Sequence, residues 1–342
     1  MGSVKDARIL RAAEESKPGY GMFVFSDRYS VFDWGEMPDL INAKGQALCT
    51  MGLYFFDCLK KLGIRHHCIG VMSGADILSY GDLRQPENSF MFNVLRVIKP
   101  EIRDGDYNYS AYGNLKSNYL IPLEVIYRNT LPEGSSVFRR LADGSLSLSD
   151  IGLKETPKPG QVLERPIVEV STKLESMDRY ISWNEAREIS NLSDSEIERI
   201  KEITLAINDL ISREAGKAGL VNEDGKFEFG LDRDRNIVVV DIIGTPDECR
   251  FTRMGMPVSK EILRRYYRGT KWHSHLEAAK KIDAVHWKKM VTELPPRLPS
   301  ETISLVSALY RACCNDITGR LWFQVPPLEE ILDRIRRSGP IL

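Results

Sequence analysis

Residues 226–241 constrain this chain most tightly, because there the apolar pattern shortens to a two-residue period and then breaks at a turn. Lys226-Phe227-Glu228-Phe229 alternates charge with aromatic, so a half-buried strand carries Lys226 and Glu228 on one face and both phenylalanines on the other. Gly230 to Asn236 is rich in turn residues, and Ile237-Val238-Val239-Val240-Asp241 supplies a second strand. A symmetric hairpin centred between Asp234 and Arg235 sets Glu228 directly opposite Asp241. Facing carboxylates, with Cβ atoms about 4.5–5.5 Å apart, repel each other. A divalent cation between them turns that repulsion into a site. Mg²⁺ suits it, since it takes carboxylate oxygens and completes its shell with water and nucleotide phosphates. Lys226, two residues along the same face, then reaches a phosphate oxygen. On pattern alone a solvated strand face is the simpler explanation. The polar cluster Thr245-Pro246-Asp247-Glu248-Cys249-Arg250, immediately after the strand, shifts the balance toward a site.

At 342 residues the chain is long enough for two lobes or a domain with appendages. From Lys44 to Leu62 the residues Leu48, Met51, Phe55, Cys58, Leu59 and Leu62 recur at helical spacing, and Gly63 stands where a left-handed residue ends a helix. Met22–Phe25, Cys68–Met72, Met91–Ile98 and Leu120–Tyr127 read as strands. Residues 100–119, with Asp104-Gly105-Asp106 and four tyrosines, read as a surface excursion rather than a substrate-covering loop. Ser182 with Glu185 and Ser193 with Glu196 are capping boxes that open helices. The last seventy residues are helical in pattern, interrupted at Pro295-Pro296 and Pro326-Pro327.

Charge and composition exclude several classes. Lys and Arg total 47 against 48 Asp and Glu, a net charge of −1, which argues against a broadly basic nucleic-acid binder. No apolar run approaches the roughly 18 residues that span a bilayer. The start, Met1-Gly2-Ser3-Val4-Lys5-Asp6, has no signal-peptide core, and Asp6 stands where a myristoylation motif requires Ser or Thr. The six cysteines show no zinc-like spacing, and scattered thiols fit a reducing compartment. A cytoplasmic location is expected, with no membrane or nucleic-acid partner. Cys313-Cys314 reads as core, Trp272 and Trp287 as packing anchors, and His273 and His275 as surface or interlobe contacts rather than metal ligands.

Asp224-Gly225-Lys226-Phe227-Glu228-Phe229-Gly230, Val240-Asp241 and Thr245 to Arg250 together resemble the signature of the SAICAR synthetase (phosphoribosylaminoimidazole-succinocarboxamide synthase) family. Three further blocks are similar to it: Ser26-Asp27-Arg28-Tyr29-Ser30-Val31-Phe32-Asp33 with Lys44-Gly45, Ile121 to Arg128 with Gly134-Ser135, and Ser171-Thr172-Lys173 with Asp178. The blocks follow family order over residues 2–265. The resemblance implies an α+β, ATP-grasp-like two-lobe fold with a helical C-terminal tail. The expected partition is a nucleotide-covering lobe over residues 1–119, a central lobe with the metal and substrate sites over 120–270, and a helical segment over 271–342. The implied reaction joins carboxyaminoimidazole ribonucleotide (CAIR) to L-aspartate at the expense of ATP, through an acyl phosphate. By position, Glu228 and Asp241 hold Mg²⁺, and Lys5 and Lys226 contact nucleotide phosphates. Arg128, Ser135 and Arg250 bind the ribonucleotide phosphate, with Asp27, Ser30 and Glu124 in the substrate segments. Lys173 and Asp178 join Lys226 in the catalytic set.

The chain departs from the family pattern at Ser3 (usually Lys), Ile242 (usually acidic), Glu248-Cys249 (usually Ser-Ser) and in the longer link over 99–119. Two alternatives therefore stay open in the sequence: a ligase of the same type with a different carboxylate and amine, or a non-catalytic nucleotide-binding homologue. A homo-oligomer is compatible with either.

Overall fold

Five antiparallel strands make the N-terminal sheet: β1 (Lys5–Arg11), β2 (Gly19–Phe25), β3 (Cys68–Ser73), β4 (Asp76–Leu78) and β5 (Ser89–Val94), in the order β1-β2-β5-β3-β4. The computed structural model describes residues 4–103, 105–283 and 285–339, so Gly2, Ser3 and Asp104 lie outside the described residues. Phe23 stacks on Phe92 across β2 and β5 at 4.1 Å, a cross-strand aromatic pair of the kind that fixes register. Helix α1 (Lys44–Lys61) buries Leu48, Met51, Phe55 and Leu59 along one stripe, and Gly63, at φ 70°, turns the chain away as expected.

Gly52 on α1 leaves room for a residue from the central lobe. A Cβ there would lie 2.5 Å from Ile242 Cδ1, so the apolar residue that follows Asp241 is explained by packing on this helix. Gly52→Ala is expected to destabilise the protein by about 1–3 kcal/mol through overpacking. The check is the urea midpoint, with Ile242→Ala alongside; the double variant should lose less than the two single losses combined. Additive losses contradict the contact.

After β5 the excursion carries a small hairpin, β6 (Glu101–Arg103) and β7 (Asp106–Asn108). Its tyrosines turn inward: Tyr112 is fully buried against Tyr119, with ring centroids 5.7 Å apart. The excursion therefore docks through its tyrosines, while the hairpin strand β6 stays exposed.

The central sheet then forms from β8 (Tyr119–Leu131), β9 (Gln161–Thr172), β10 (Tyr180–Ile181), β11 (Val221–Leu231), β12 (Ile237–Val240), β13 (Cys249–Arg253) and β14 (Met256–Pro257). Its order is β10-β9-β8-β11-β13-β14, with β12 paired to the far end of β11. Between its strands lie α2 (Ser136–Ala142), α3 (Trp183–Ser190) and α4 (Asp194–Lys217). The Ser182 hydroxyl accepts from Glu185 N–H, and Ser193 with Glu196 completes a reciprocal cap on α4. Ile197, Ile200, Ile203, Ile207, Leu210 and Ile211 form the buried face of α4.

The C-terminal helices are α5 (Glu261–Arg268), α6 (Lys271–Ile282), α7 (Ser300–Thr318) and α8 (Leu328–Arg337). Helices α7 and α8 each start directly after a proline, Pro299 and Pro327, whose missing N–H costs nothing at a helix entrance. Helix α7 returns to pack on α1, burying Cys313 and Cys314 in a core that runs continuously from Phe25 through Phe227 to Ile331. Trp272 and Trp287 are both buried around Trp34, while His275 meets Glu293 at the surface. Among the described residues, no helix is long and apolar enough to cross a membrane.

Candidate active site

Strands β8 and β11 place the charged side chains. Their antiparallel register sets Asp224 opposite Arg128, Lys226 opposite Ile126, and Glu228 opposite Glu124. Phe227 and Phe229 point into the core at 1% exposure each, which leaves Lys226 and Glu228 on the other face. The hairpin partner of Glu228 is Val240, not Asp241, which corrects the register expected from sequence. The reason is the loop: it spans five residues, Asp232 to Asn236, with Arg235 in the left-handed region at φ 61°, so the hairpin centres on Asp234. Asp241 lies just past the ladder and is itself left-handed, φ 63°; there its carboxylate still feels the charge of Glu228.

Glu124 and Glu228 are buried, Asp241 is half-buried, and all three are tied to lysines. Lys5 reaches Asp241 at 2.5 Å, Lys173 contacts Glu228 and lies 3.6 Å from Glu124, and Lys226 binds Glu124 at 2.7 Å. Burial, then the charges of Asp241 and Glu124, push the Glu228 carboxyl up to about 7 against the pull of Lys173. Burial acts on Asp241 in the same direction, but Lys5 and Lys173 outweigh it and hold that carboxyl below the usual range. Asp241 thus lies close enough to Glu228 to raise its pKa, with lysine ammoniums supplying the neutralising charge. Such a pair fits a divalent cation. Among the described residues no group of three or more His, Cys, Asp or Glu is arranged to hold a metal with protein donors alone. Mg²⁺ commonly takes one or two carboxylates and fills its remaining positions from phosphate and water.

Two cavities follow one another along β8 and β11. The first, of about 190 Å³, is mostly apolar: Phe23, Phe92, Leu95, Val97 and Leu120 line it, with Glu228 and Asp241 at one side. The second, of about 290 Å³, is polar and is lined by Glu124, Arg128, Asp178, Lys226, Arg250 and Lys260 among others. Glu228 on the first and Lys226 on the second are neighbours on one strand face. A wider cleft of about 460 Å³ lies beyond His67, between the end of α1 and the hairpin loop, away from these paired strand charges.

Of the residues singled out in sequence, Glu124, Arg128, Asp178, Lys226 and Arg250 meet at the polar cavity. Arg128 is 2% exposed and heavily engaged: Nε donates to Glu169 at 2.7 Å, Nη1 to Asp224 at 3.3 Å, and Nη2 to Ser136 Oγ and Tyr180 OH. Arg250 is less committed, with Asp224 at 3.1 Å and more exposure. Ser135 is not on the cavity wall; its hydroxyl caps α2 by accepting from Val137 N–H, and the neighbouring Ser136 touches Arg128 instead. Asp27 anchors the start of α1, accepting from the Ala43 and Gly45 amides at 3.1 and 3.0 Å. Ser30 is half-buried and lines neither cavity. Glu248 lies on the polar cavity wall, 3.9 Å from Lys226.

Other residues of the polar cavity received no role from the sequence. Lys260 heads α5 one turn before Arg264, both face the polar cavity, and among the described residues Lys260 has no ion-pair partner. Burial pulls its pKa down, Arg264 adds to that, and Glu248 opposes it. The signal was a Lys and an Arg four residues apart on one helix face. Asp33 also lines this cavity, in a strained turn where Phe32 and Asp33 are both left-handed, φ 56° and 61°.

The SAICAR synthetase family model matches residues 7–279. An Archaeoglobus fulgidus protein, provisionally named as a phosphoribosylaminoimidazole-succinocarboxamide synthase, is 49% identical over 336 residues, covering 98% of this chain and 99% of its own. The Thermoplasma acidophilum enzyme of that name is 34% identical over 308 residues, covering 88% and 94%. Among solved structures, the Saccharomyces cerevisiae SAICAR synthase complexed with SAICAR shares the fold at a TM-score of 0.61 and 23% identity, over 92% of this chain and 96% of that one. A SAICAR synthetase in complex with ADP superposes at 0.56 with 24% identity, over 83% and 97%. With its strand charges, its two adjoining cavities and these relatives, the chain belongs to the SAICAR synthetase family.

Proposed function

We infer that the chain is the ATP-dependent ligase that joins CAIR and L-aspartate into SAICAR, releasing ADP and phosphate in purine biosynthesis. One observation carries the site assignment: an apolar cavity suited to a nucleobase and a polar cavity suited to a phosphorylated, carboxylated substrate adjoin along β8 and β11. ATP seated in the first directs its phosphates past Glu228 and Asp241 toward the second. A carboxylate oxygen of CAIR then attacks the γ-phosphorus, and the bond to ADP breaks. The aspartate amine attacks the acyl carbon, phosphate leaves, and the amine gives up a proton.

The residues divide this work by charge. Lys5 and Lys226 are assigned to the nucleotide phosphates, where their ammonium groups offset charge that develops on transfer. Arg250, with Lys260 beside it, is assigned to the ribonucleotide phosphate, and Arg128 holds the wall behind them. Glu228 and Asp241 would hold Mg²⁺, which would supply positive charge against that of the phosphates. Lys173 orients Glu228 and favours its ionised form against the burial and neighbouring acids that oppose it. A cytoplasmic site of action follows from substrates that are themselves soluble metabolites.

Asp178 is assigned as the acceptor of the amine proton. It stands solvent-exposed at the cavity mouth, where partial enclosure and then the Glu124 charge push its carboxyl up to about 6, close to the working range of a general base. Because the carboxylate form is the active one, kcat/KM for aspartate is expected to fall as pH drops through about 6. Asp178→Asn should lower the plateau and alter that acid limb, to which Glu228, itself pushed up to about 7, also contributes. An unaltered limb in the variant would reassign the base.

The direct test is incubation with CAIR, L-aspartate and Mg-ATP, following ADP and SAICAR together. Stoichiometric appearance of both is expected. ATP binding without product would reject this pair of substrates, and a panel of other carboxylates and amines would then decide between a different ligase and a non-catalytic homologue.

A further inference from the structure

Asp178 belongs to a loop, residues 173–179, that joins β9 to β10. The ends of this loop are fixed by backbone: Lys173 N–H donates to Pro122 O, and Thr172 N–H to Arg179 O. Its middle is poorly held by packing, since Ser176 and Met177 are exposed. Among the described residues, the middle makes hydrogen bonds outside the loop at two points, and both partners belong to the excursion at 99–118. Ser176 N–H donates to the Tyr107 hydroxyl at 2.7 Å, and the Tyr109 hydroxyl donates to Glu175 Oε1 at 2.9 Å. Arg179 completes the second contact by holding the same Glu175 carboxylate at 3.0 Å.

The excursion is itself fastened along its C-terminal half. Tyr112 OH donates to Ile98 O at 2.7 Å, Asn191 Nδ2 to Leu115 O at 3.1 Å, and Arg235 Nη1 to Lys116 O at 2.6 Å. Immediately before and after it, Val97 and Leu120 line the apolar cavity. One segment therefore starts and finishes beside the first cavity and reaches out to grip the loop that serves the second.

We propose that the excursion is a brace, and that Tyr107 and Tyr109 are positioning residues that set the stance of Asp178 toward the amine substrate. The proposal rests on the ligase reading for its kinetic consequence, though the brace itself is a property of the fold. Phenylalanine removes only the hydroxyls and leaves the ring packing intact. Losing a hydrogen bond that involves a charged or buried group typically costs enough for about a tenfold change in an equilibrium.

The test compares the protein with Tyr107→Phe, Tyr109→Phe and the double variant. Expected in the double variant are a rise of about tenfold or more in KM for aspartate, KM for ATP within about twofold of wild type, and faster hydrogen exchange at the Ser176 amide. Equal changes in all KM values, or faster exchange with aspartate KM unaltered, would overturn the positioning role. Unchanged exchange would overturn the brace. If wild type forms no SAICAR, the ligase reading fails instead, and hydrogen exchange alone still decides whether the brace exists.

Discussion

Asp241→Asn is expected to lower turnover by about 10²–10³-fold while the protein stays folded. Asparagine matches aspartate in shape and is among the few side chains that tolerate the left-handed region, which the backbone occupies here at φ 63°. The contact that secures this turn from the N-terminal lobe, His67 Nε2 to the Asp241 carbonyl at 2.9 Å, uses the main chain and survives. Lys5 loses its 2.5 Å partner but keeps the charges of Glu228 and Glu248 nearby. What disappears is one of two anionic side chains assigned to the cation. Steady-state ADP release at saturating substrates measures the loss, and raising Mg²⁺ should recover part of it. Turnover within threefold of wild type, at ordinary Mg²⁺, would remove Asp241 from the metal pair. A non-catalytic homologue would show no turnover to lose.

Much of this arrangement was legible in the sequence, for reasons that differ between residues. The alternation of Lys226, Phe227, Glu228 and Phe229 correctly assigns faces, because side chains on a strand must alternate. Register was harder. A symmetric turn and a five-residue loop look alike in composition, and only the left-handed Arg235 decides between them. The neighbour directly across from Glu228 proved to be Glu124, more than one hundred residues away, and no local period encodes a pairing at that distance. Asp27 and Ser135 illustrate a different confusion. Short oxygen-bearing side chains serve as ligands and as helix caps, and here both satisfy orphan amides at helix starts. Arg128 carries the ideal chemistry for phosphate, yet Glu169, Asp224, Ser136 and Tyr180 already take most of its donors. Burial of that kind is a tertiary property. One family departure resolves similarly: Ile242 answers to Gly52 on α1, a contact that nothing in its own segment announces.

The largest effect on stability is expected from Lys44→Met, at about 3–5 kcal/mol. Sequence marks Lys44-Gly45 and Thr245 to Arg250 as separate motifs; the fold joins them. Lys44, the first residue of α1, is completely buried and places Nζ 2.6 Å from Asp247 Oδ2. Tyr310 of α7 donates its hydroxyl to the other carboxylate oxygen at 2.7 Å, and its ring lies beneath the ammonium at 5.3 Å. One ion pair thereby ties the N-terminal helix, the segment after β12 and the C-terminal helices together. Methionine fills the same space but leaves a buried carboxylate without its cation, so the cost is an uncompensated charge rather than a cavity. Burial raises the Asp247 pKa, while Lys44 foremost among its neighbours overrides this and holds it below the ordinary carboxylate value. A depressed carboxylate contributes stability above its unfolded pKa and loses it as pH falls through the folded value. The Lys44→Met deficit should therefore be larger at pH 7 than at pH 4, because the stranded Asp247, its pKa now raised by burial, takes up a proton before the pH falls to the ordinary carboxylate value of about 4. Pairing Lys44→Met with Asp247→Asn removes the stranded charge and keeps an acceptor for Tyr310, so the urea midpoint should recover in part. A deficit that is the same at both pH values, with no recovery in the double variant, would trace the loss to packing and dismiss the ion pair as its cause.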